Sequence, residues 1–295
     1  MELRNLRAFV EVVRQGGFSE AAKVIHATQS TVSKAVKQLE DELGLHLLDR
    51  GARHSQPTAA GEIVYRRALS MLFERDDLIN ELDELRGLKR GVLRLGLPAI
   101  GSSAVFAPLF AIYRNRYPGI EIRLVEYGSK RLEEMLLEGE LDLGASLLPV
   151  PEEFEWQEVS KQPIDLLISS KHPLATRKSV KLEELAKLDF ILYGEGFALD
   201  PIIVSACQRS GFTPTITARS GQIAFITELV VAGLGIGFLP RMIALERSRP
   251  GLSSVAVNDP GMVWDIAMIW RRGAYLPHAA RAWLELARTQ KSGRR

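Results

Sequence analysis

Apolar residues recur at helical spacing from the first positions of the chain. Leu3, Leu6, Phe9, Val10 and Val13 mark one stripe, closed by Gly16-Gly17. The stretch FSEAAKVIHA follows with a narrow face of Ala21, Ala22 and Ile25, small enough for a neighbouring helix to cross closely, and with Ser19 as its expected N-cap. After a short connection at His26-Ala27, Thr28 can cap a third helix. There Val32, Ala35, Val36, Leu39 and Leu43 fall at i, i+3, i+4, i+7 and i+11. Two short helices joined by a tight turn, the second with a polar outer face, describe a helix-turn-helix.

That outer face carries Gln29, Ser30, Thr31, Ser33, Lys34, Lys37 and Gln38, with no acid before Glu40. The first four sit at the end of a recognition helix that meets base edges, and the lysines lie where phosphates would be. LHLLDRGARHSQPTAAG then reads as a hairpin wing. Leu45, Leu47 and Leu48 are its expected anchors, and Arg50, Arg53 and His54 project from a glycine-containing tip toward the backbone or minor groove. Residues 1 to 58 hold eight Lys/Arg against seven Asp/Glu, so the argument rests on local segregation. Glu40, Asp41 and Glu42 cluster at the far end of the recognition helix. A helical module that binds protein and not DNA stays open at this point.

From Ala60 to Arg86 there is no proline and no glycine after Gly61, and the helical pattern continues to about Leu88. Tyr65, Leu69, Leu72, Ile79, Leu82 and Leu85 keep three- or four-residue spacings, interrupted by Asp76. A helix of this length, ~40 Å, with one apolar seam is expected to pair with a copy of itself, the alternative being packing on its own C-terminal part. RGLKRG, residues 86–91, reads as a hinge.

After Gly91 strands and helices alternate: GVLRLGLP, GSSAVFAPLFAIYRNRYP, IEIRLVEYG, SKRLEEMLLEGE and LDLGASLL form a β-α-β-α-β series, which implies a parallel sheet with helices on both faces. A second such unit begins at PIDLLISSKHPLA, and WDIAMIW with the helix from Ala279 returns to the first lobe. Three strand ends run into helix starts that carry hydroxyl or amide groups: Ser102-Ser103, Ser129, and Ser220-Gly221-Gln222. Ligands bind beyond the carboxyl ends of strands in open α/β sheets, and helix N-termini favour a carboxylate. Ser102, Ser103, Ser129 and Gln222 are therefore the expected effector contacts, with Ser146, Tyr193 and Phe197 at the rim or floor. Each serine can equally be a plain N-cap.

The remaining composition narrows the function. In 295 residues with net charge +2 there is one cysteine, Cys207, which excludes an internal disulfide and any cysteine zinc cluster. Five scattered histidines have no metal-ligand spacing, so no metal and no cofactor is expected. GIGFLP lacks the spacing of a dinucleotide loop and runs into Pro240. No nucleophile elbow is present, and the chain is read as a non-enzyme. Charges interrupt the N-terminal helix, and Leu229 to Pro240 is too short for a membrane span, so a cytoplasmic protein without a signal peptide or membrane contact is expected.

The residues Phe9, Phe18-Ser19, Ala21-Ala22, Gln29, Ser33, Leu39-Glu40, Leu43-Gly44, Arg50 and Thr58-Ala60-Gly61 closely resemble the N-terminal domain of the LysR-type transcriptional regulators. Ser30 stands where that family usually has Pro, and Leu48 where it has Phe. After residue 90 the looser similarity is to the family's effector domain, itself similar to periplasmic solute-binding proteins. RLGLPAIGSS, LVEYGS and GIGFLP resemble most a subgroup linked to weak-acid and overflow carbon metabolism. The resemblance implies an all-α winged helix-turn-helix head (1–59), a long dimerising linker helix (60–88) and a two-lobed α/β periplasmic-binding-protein-like effector domain (89–295). Lobe I is expected at about 91–161 and 266–291, lobe II at about 162–265. It implies a homotetramer that binds promoter DNA and a small effector, expected to be a carboxylate. The rival reading is a two-lobed binder or enzyme whose N-terminal helices serve only for association.

Overall fold

Helix α1 (Leu3–Gln15) buries Leu6, Phe9, Val10 and Val12 and stops at Gly16, whose φ of 70° suits a residue without a side chain. The computed structural model describes residues 1–49, 55–85, 91–194 and 196–292. Contacts divide the chain into two units, Met1–Leu88 with Leu137–Glu140, and Lys89–Leu136 with Leu141–Arg295.

In the first unit α2 (Phe18–Val24) is capped by Gly17 and not by Ser19, which lies inside the helix. Ala21 and Ala22 are buried against α1 and α3 (Gln29–Leu43). The turn between α2 and α3 passes through His26 in the left-handed region, φ 54°. Val32, Val36 and Leu39 bury the inner face of α3, while Leu43 in its last turn is exposed. Burial of a side chain such as Leu39 stabilises the head by about 2 kcal/mol. Strands β1 (Leu48–Asp49) and β2 (Gln56–Pro57) form the base of an antiparallel hairpin. Leu47 and Leu48 anchor it, but Leu45 is exposed.

Two polar residues lock this hairpin. Glu40 is buried, and its Oε1 accepts from the backbone N–H of Leu47 at 2.8 Å and of Leu48 at 3.4 Å. It is therefore a structural acid, not part of a solvated acidic cluster. Thr58 donates to the His46 carbonyl and accepts from Gly61 N, capping α4 (Ala59–Leu85). A Cβ on Gly61 would lie 2.0 Å from the Leu47 carbonyl oxygen, so only glycine lets the helix start pass so close to the wing.

Helix α4 departs from the single seam expected of it. Leu69 is buried, and Tyr65 and Leu72 pack partly buried in the head's core. Ile63, Met71, Leu78, Ile79 and Leu82 are exposed instead.

The second unit runs β3 (Gly91–Pro98), α5 (Ser102–Val105), α6 (Ala107–Arg116), β4 (Ile120–Tyr127), α7 (Ser129–Leu137) and β5 (Leu143–Leu147). Then come β6 (Phe154–Ser169), β7 (Ser179–Val180), β8 (Asp189–Tyr193), α8 (Leu199–Arg209), β9 (Thr215–Ser220) and α9 (Ile223–Val231). It closes with β10 (Gly237–Pro240), α10 (Arg241–Glu246), β11 (Leu252–Val257), β12 (Val263–Arg271) and α11 (His278–Ser292). The order along the main sheet is β4-β3-β5-β12-β6-β11-β7, with β10 also on β6. β3 pairs parallel with β4 and β5, as the β-α-β-α-β series predicts, whereas β12 is antiparallel to β5 and β6, so the sheet as a whole is mixed.

Two lobes result from the length of β6. Its first part pairs with β12, and its last residues pair with β10 and β11. The parallel pair β8–β9 joins the second lobe through the Phe190–Ile236 bridge. β5 is buried throughout because helices cover both faces. α11 returns over the first lobe, where Trp283 stacks at an angle on Tyr113. Among the described residues no helix is long and apolar enough to cross a membrane.

Candidate functional site

The outer surface of α3 is polar from its first turn. Thr28, Gln29, Ser30, Thr31, Ser33, Lys34 and Lys37 are all exposed, as is Gln38. Thr28 is committed locally: its Oγ1 accepts from Thr31 N at 3.2 Å and lies 2.9 Å from Ser30 Oγ and 2.8 Å from Thr31 Oγ1. That small hydroxyl cluster fixes the start of the helix, while Gln29, Ser33 and the lysines extend from it. The face presents donors and positive charge at the N-terminal end, the end whose free N–H groups already favour phosphate. The wing-tip residues Arg50, Arg53 and His54 lie outside the described residues.

The second candidate site lies between the lobes, beyond the carboxyl ends of β4 and β8. Gly128 and Gly196 meet there, and a Cβ on Gly128 would sit 2.4 Å from the Gly196 carbonyl oxygen. Beside this contact a cavity of about 490 Å³ is lined by Ser129, Lys130, Glu133, Phe197, Asp200 and Arg219 among others. A narrow extension of about 20 Å³ leads between Ile100, Leu147, Phe197 and Trp264, again along Ser129.

The expected effector residues divide on this geometry. Ser129 opens α7 at the cavity wall and is 5% exposed. Phe197 lies in the wall of both spaces. Ser146 reaches the cavity only through Glu133, to whose Oε1 it donates at 2.6 Å. Ser102 turns inward and donates to the Pro98 carbonyl, so its proton is spent on its own turn, and Ser103 is exposed. Neither is in the wall of the two spaces. Gln222 is exposed at the start of α9 and is not in those walls either; its backbone N–H is taken by Ser220 Oγ at 3.1 Å. Tyr193 is corrected from rim to core: it is 1% exposed and donates to the Phe238 carbonyl at 2.6 Å. Burial pushes its phenol well above the usual tyrosine range, so it stays a neutral donor.

The sequence reading missed Lys130, Glu133, Asp200 and Arg219. Only Glu133 had a local signal, standing at i+4 from Ser129 on one helix face. Arg219 spans from Asp200, at 2.8 Å, to the Tyr193 carbonyl, at 2.9 Å. Among the described residues the cavity wall includes the cations Lys130 and Arg219 and the carboxylates Glu133 and Asp200. Among the described residues no group of three His, Cys, Asp or Glu side chains is placed to hold a metal.

A three-helix head with a small hairpin, followed by a two-lobed α/β sensor with a cleft, defines a ligand-responsive DNA-binding regulator. The profile described as "Bacterial regulatory helix-turn-helix protein, lysR family" matches residues 3–62, and that described as "LysR substrate binding domain" matches residues 86–292. The chain belongs to the LysR family: it is a DNA-binding transcription regulator with an effector-binding domain, not an enzyme. The HTH-type transcriptional regulator YwbI of Bacillus subtilis (strain 168) is 36% identical over 286 residues, covering 97% of this chain and 95% of its own. The transcriptional dual regulator GltC of the same organism is 29% identical over 288 residues, covering 97% and 96%. Among solved structures, a full-length OxyR variant from Pseudomonas aeruginosa superposes with a TM-score of 0.79 at 26% identity, covering 98% of this chain and 95% of that one.

Proposed function

We propose that this regulator reads promoter DNA with the outer face of α3 and answers to a small carboxylate held in the cleft that Ser129 lines. Gln29, Ser30, Thr31 and Ser33 face the bases, with Thr28 ordering the helix start. Lys34 and Lys37 meet phosphates, as do Arg50 and Arg53 of the wing tip. The observation that carries this reading is the exposed surface of α3, polar or cationic along its first two and a half turns, on a helix whose opposite face buries Val32, Val36 and Leu39. In the cleft the start of α7, with Ser129 and Lys130 in the cavity wall, supports an anionic group.

The chain divides into a head at 1–59, a linker helix at 60–88 and an effector domain at 89–295. The exposed apolar positions Ile63, Met71, Leu78 and Leu82 recur at eight, seven and four residues along one face of α4. That face supports pairing of two linkers, and the assembly is a tetramer acting in the cytoplasm. A ligand that binds the closed lobes more tightly than the open ones shifts the balance between them, and with it the spacing of two heads on DNA.

The test is the salt dependence of binding to a duplex from the promoter beside its own gene. Replacing Lys34 or Lys37 with alanine is expected to flatten log K against log salt by about one unit for each phosphate left without its lysine. Slopes identical to wild type would remove both lysines from the interface.

A further inference from the structure

We propose that the head holds a further DNA contact beside its base-reading face: a groove between α1 and α3 in which the Asn5 side-chain amide donates to a backbone phosphate oxygen. This inference rests on the reading of α3 as the DNA surface given above.

The groove has a volume of about 280 Å³ and is lined by Arg4, Asn5, Ala8, Thr31, Lys34 and Gln38 among others. Asn5 stands in the first turn of α1, between the exposed Arg4 and the buried Leu6. It is 1% exposed, and its Nδ2 is shielded from water without a hydrogen-bond partner. Buried amides are as a rule paired, and an orphan donor is costly. A leucine of similar size would fill the same place without leaving a polar atom unpaired. The amide therefore calls for an acceptor that the free head does not provide.

Its surroundings say which acceptor. Asn5 lies at the positive end of a thirteen-residue helix, where the dipole favours an anion. The carboxylate of the N-cap residue Glu2 makes no cap and is drawn to Arg4 instead. Thr31, Lys34 and Gln38 recur at i, i+3 and i+7, so they form a row along one side of α3. The groove thus runs beside the exposed polar surface of that helix, and Lys34 belongs to both. DNA seated on that surface carries its backbone along the groove, and phosphate oxygens accept without donating. The long exposed side chains of Lys34 and Gln38 form the part of the rim that swings aside as the phosphate reaches Asn5. The neutral amide fixes where the backbone lies, while the lysine supplies charge.

The test lets the full-length protein select its own site from a pool of random duplexes. Each phosphate of that duplex is then replaced singly by a neutral methylphosphonate, and the affinities of wild type, Asn5→Leu and Lys37→Ala are compared. At one phosphate the penalty seen with wild type is expected to shrink about tenfold in Asn5→Leu, while the phosphate coupled to Lys37 keeps its full penalty in that variant. Asn5→Leu is expected to unfold at or above the wild-type thermal midpoint, because the orphan donor is gone. Asn5→Ala, which also lacks the donor, is expected to show the same coupling if leucine disturbs the packing. Penalties in both Asn5 variants equal to wild type at every phosphate overturn this inference and leave α3 as the DNA surface. Calorimetry with inorganic phosphate examines the other source of the same chemistry: binding that depends on Asn5, with no DNA phosphate coupled to it, overturns the DNA assignment. A wild-type protein that selects no site overturns the DNA reading and this inference with it.

Discussion

The surface of α3 and the wall of the cleft are both polar sites on rigid scaffolds, yet they are built in opposite ways. The α3 surface comes from fifteen consecutive residues of one helix, so every member is placed by the same 3.6-residue period that buries Val32, Val36 and Leu39. The cleft draws Ser129, Lys130 and Glu133 from one helix, Asp200 from a second and Arg219 from a strand, and the lobes must meet before these groups form one wall. A site carried by one element inherits that element's stability. A site shared between lobes depends on how the two lobes pack against each other.

If the head depends on one packed helix, damage to its buried face should cost most. Leu39→Ala removes a fully buried side chain and is expected to lower the stability of the head by about 3 kcal/mol, read from urea unfolding followed by circular dichroism. A loss below about 1 kcal/mol would mean that α3 does not organise the head.

Glu40→Ala comes next. It strands the Leu47 and Leu48 amides, with an expected cost of about 2 kcal/mol in the same unfolding measurement. The comparison sharpens if this exposed-looking acid outweighs any lysine on the same helix.

On the cleft side, Ser129→Ala is expected to weaken binding of the effector about tenfold, roughly 1.4 kcal/mol, as measured by calorimetry. An equal affinity in the variant would move the anion site away from α7. Smallest is Thr28→Ala, which removes the cap accepted from Thr31 N. About 1 kcal/mol of stability should go with it, measurable as a lower thermal midpoint.

The contrast also explains what the sequence made legible. Periodicity and caps alone located α1, α3 and α4, and the alternating pattern located β3 to β5 and the second lobe. Errors fell where tertiary contacts outrank local pattern. Ser19 lost its capping role because the Gly16-Gly17 turn let α2 begin two residues earlier, at Phe18 with Gly17 as its cap. Glu40 looked like a surface acid because nothing in the sequence near it reveals the two amides of the wing it accepts from. Tyr65, Leu69 and Leu72 read as part of a free seam, but the head's own core takes them.

In the cleft, three hydroxyl-bearing strand ends looked alike, and only Ser129 lines the cavity. Ser102 folds back onto Pro98, and Ser220 spends its oxygen on Gln222 N. The pairing of Arg219 with Asp200 spans residues in different elements, so no spacing rule signals it. Gly61 was legible as part of a motif, but its reason was not: the Leu47 carbonyl occupies the place where its side chain would be.

The central claim is that occupation of the cleft at Ser129 changes how α3 holds DNA. The most direct test measures binding of wild type and Ser129→Ala to the duplex beside the protein's own gene, titrated with a panel of amino acids and simple carboxylates at fixed salt. The account predicts that at least one of these ligands shifts the wild-type binding curve and that the same ligand leaves the Ser129→Ala curve in place. A shift that persists undiminished in Ser129→Ala, or a wild-type curve that no member of the panel moves, would contradict it.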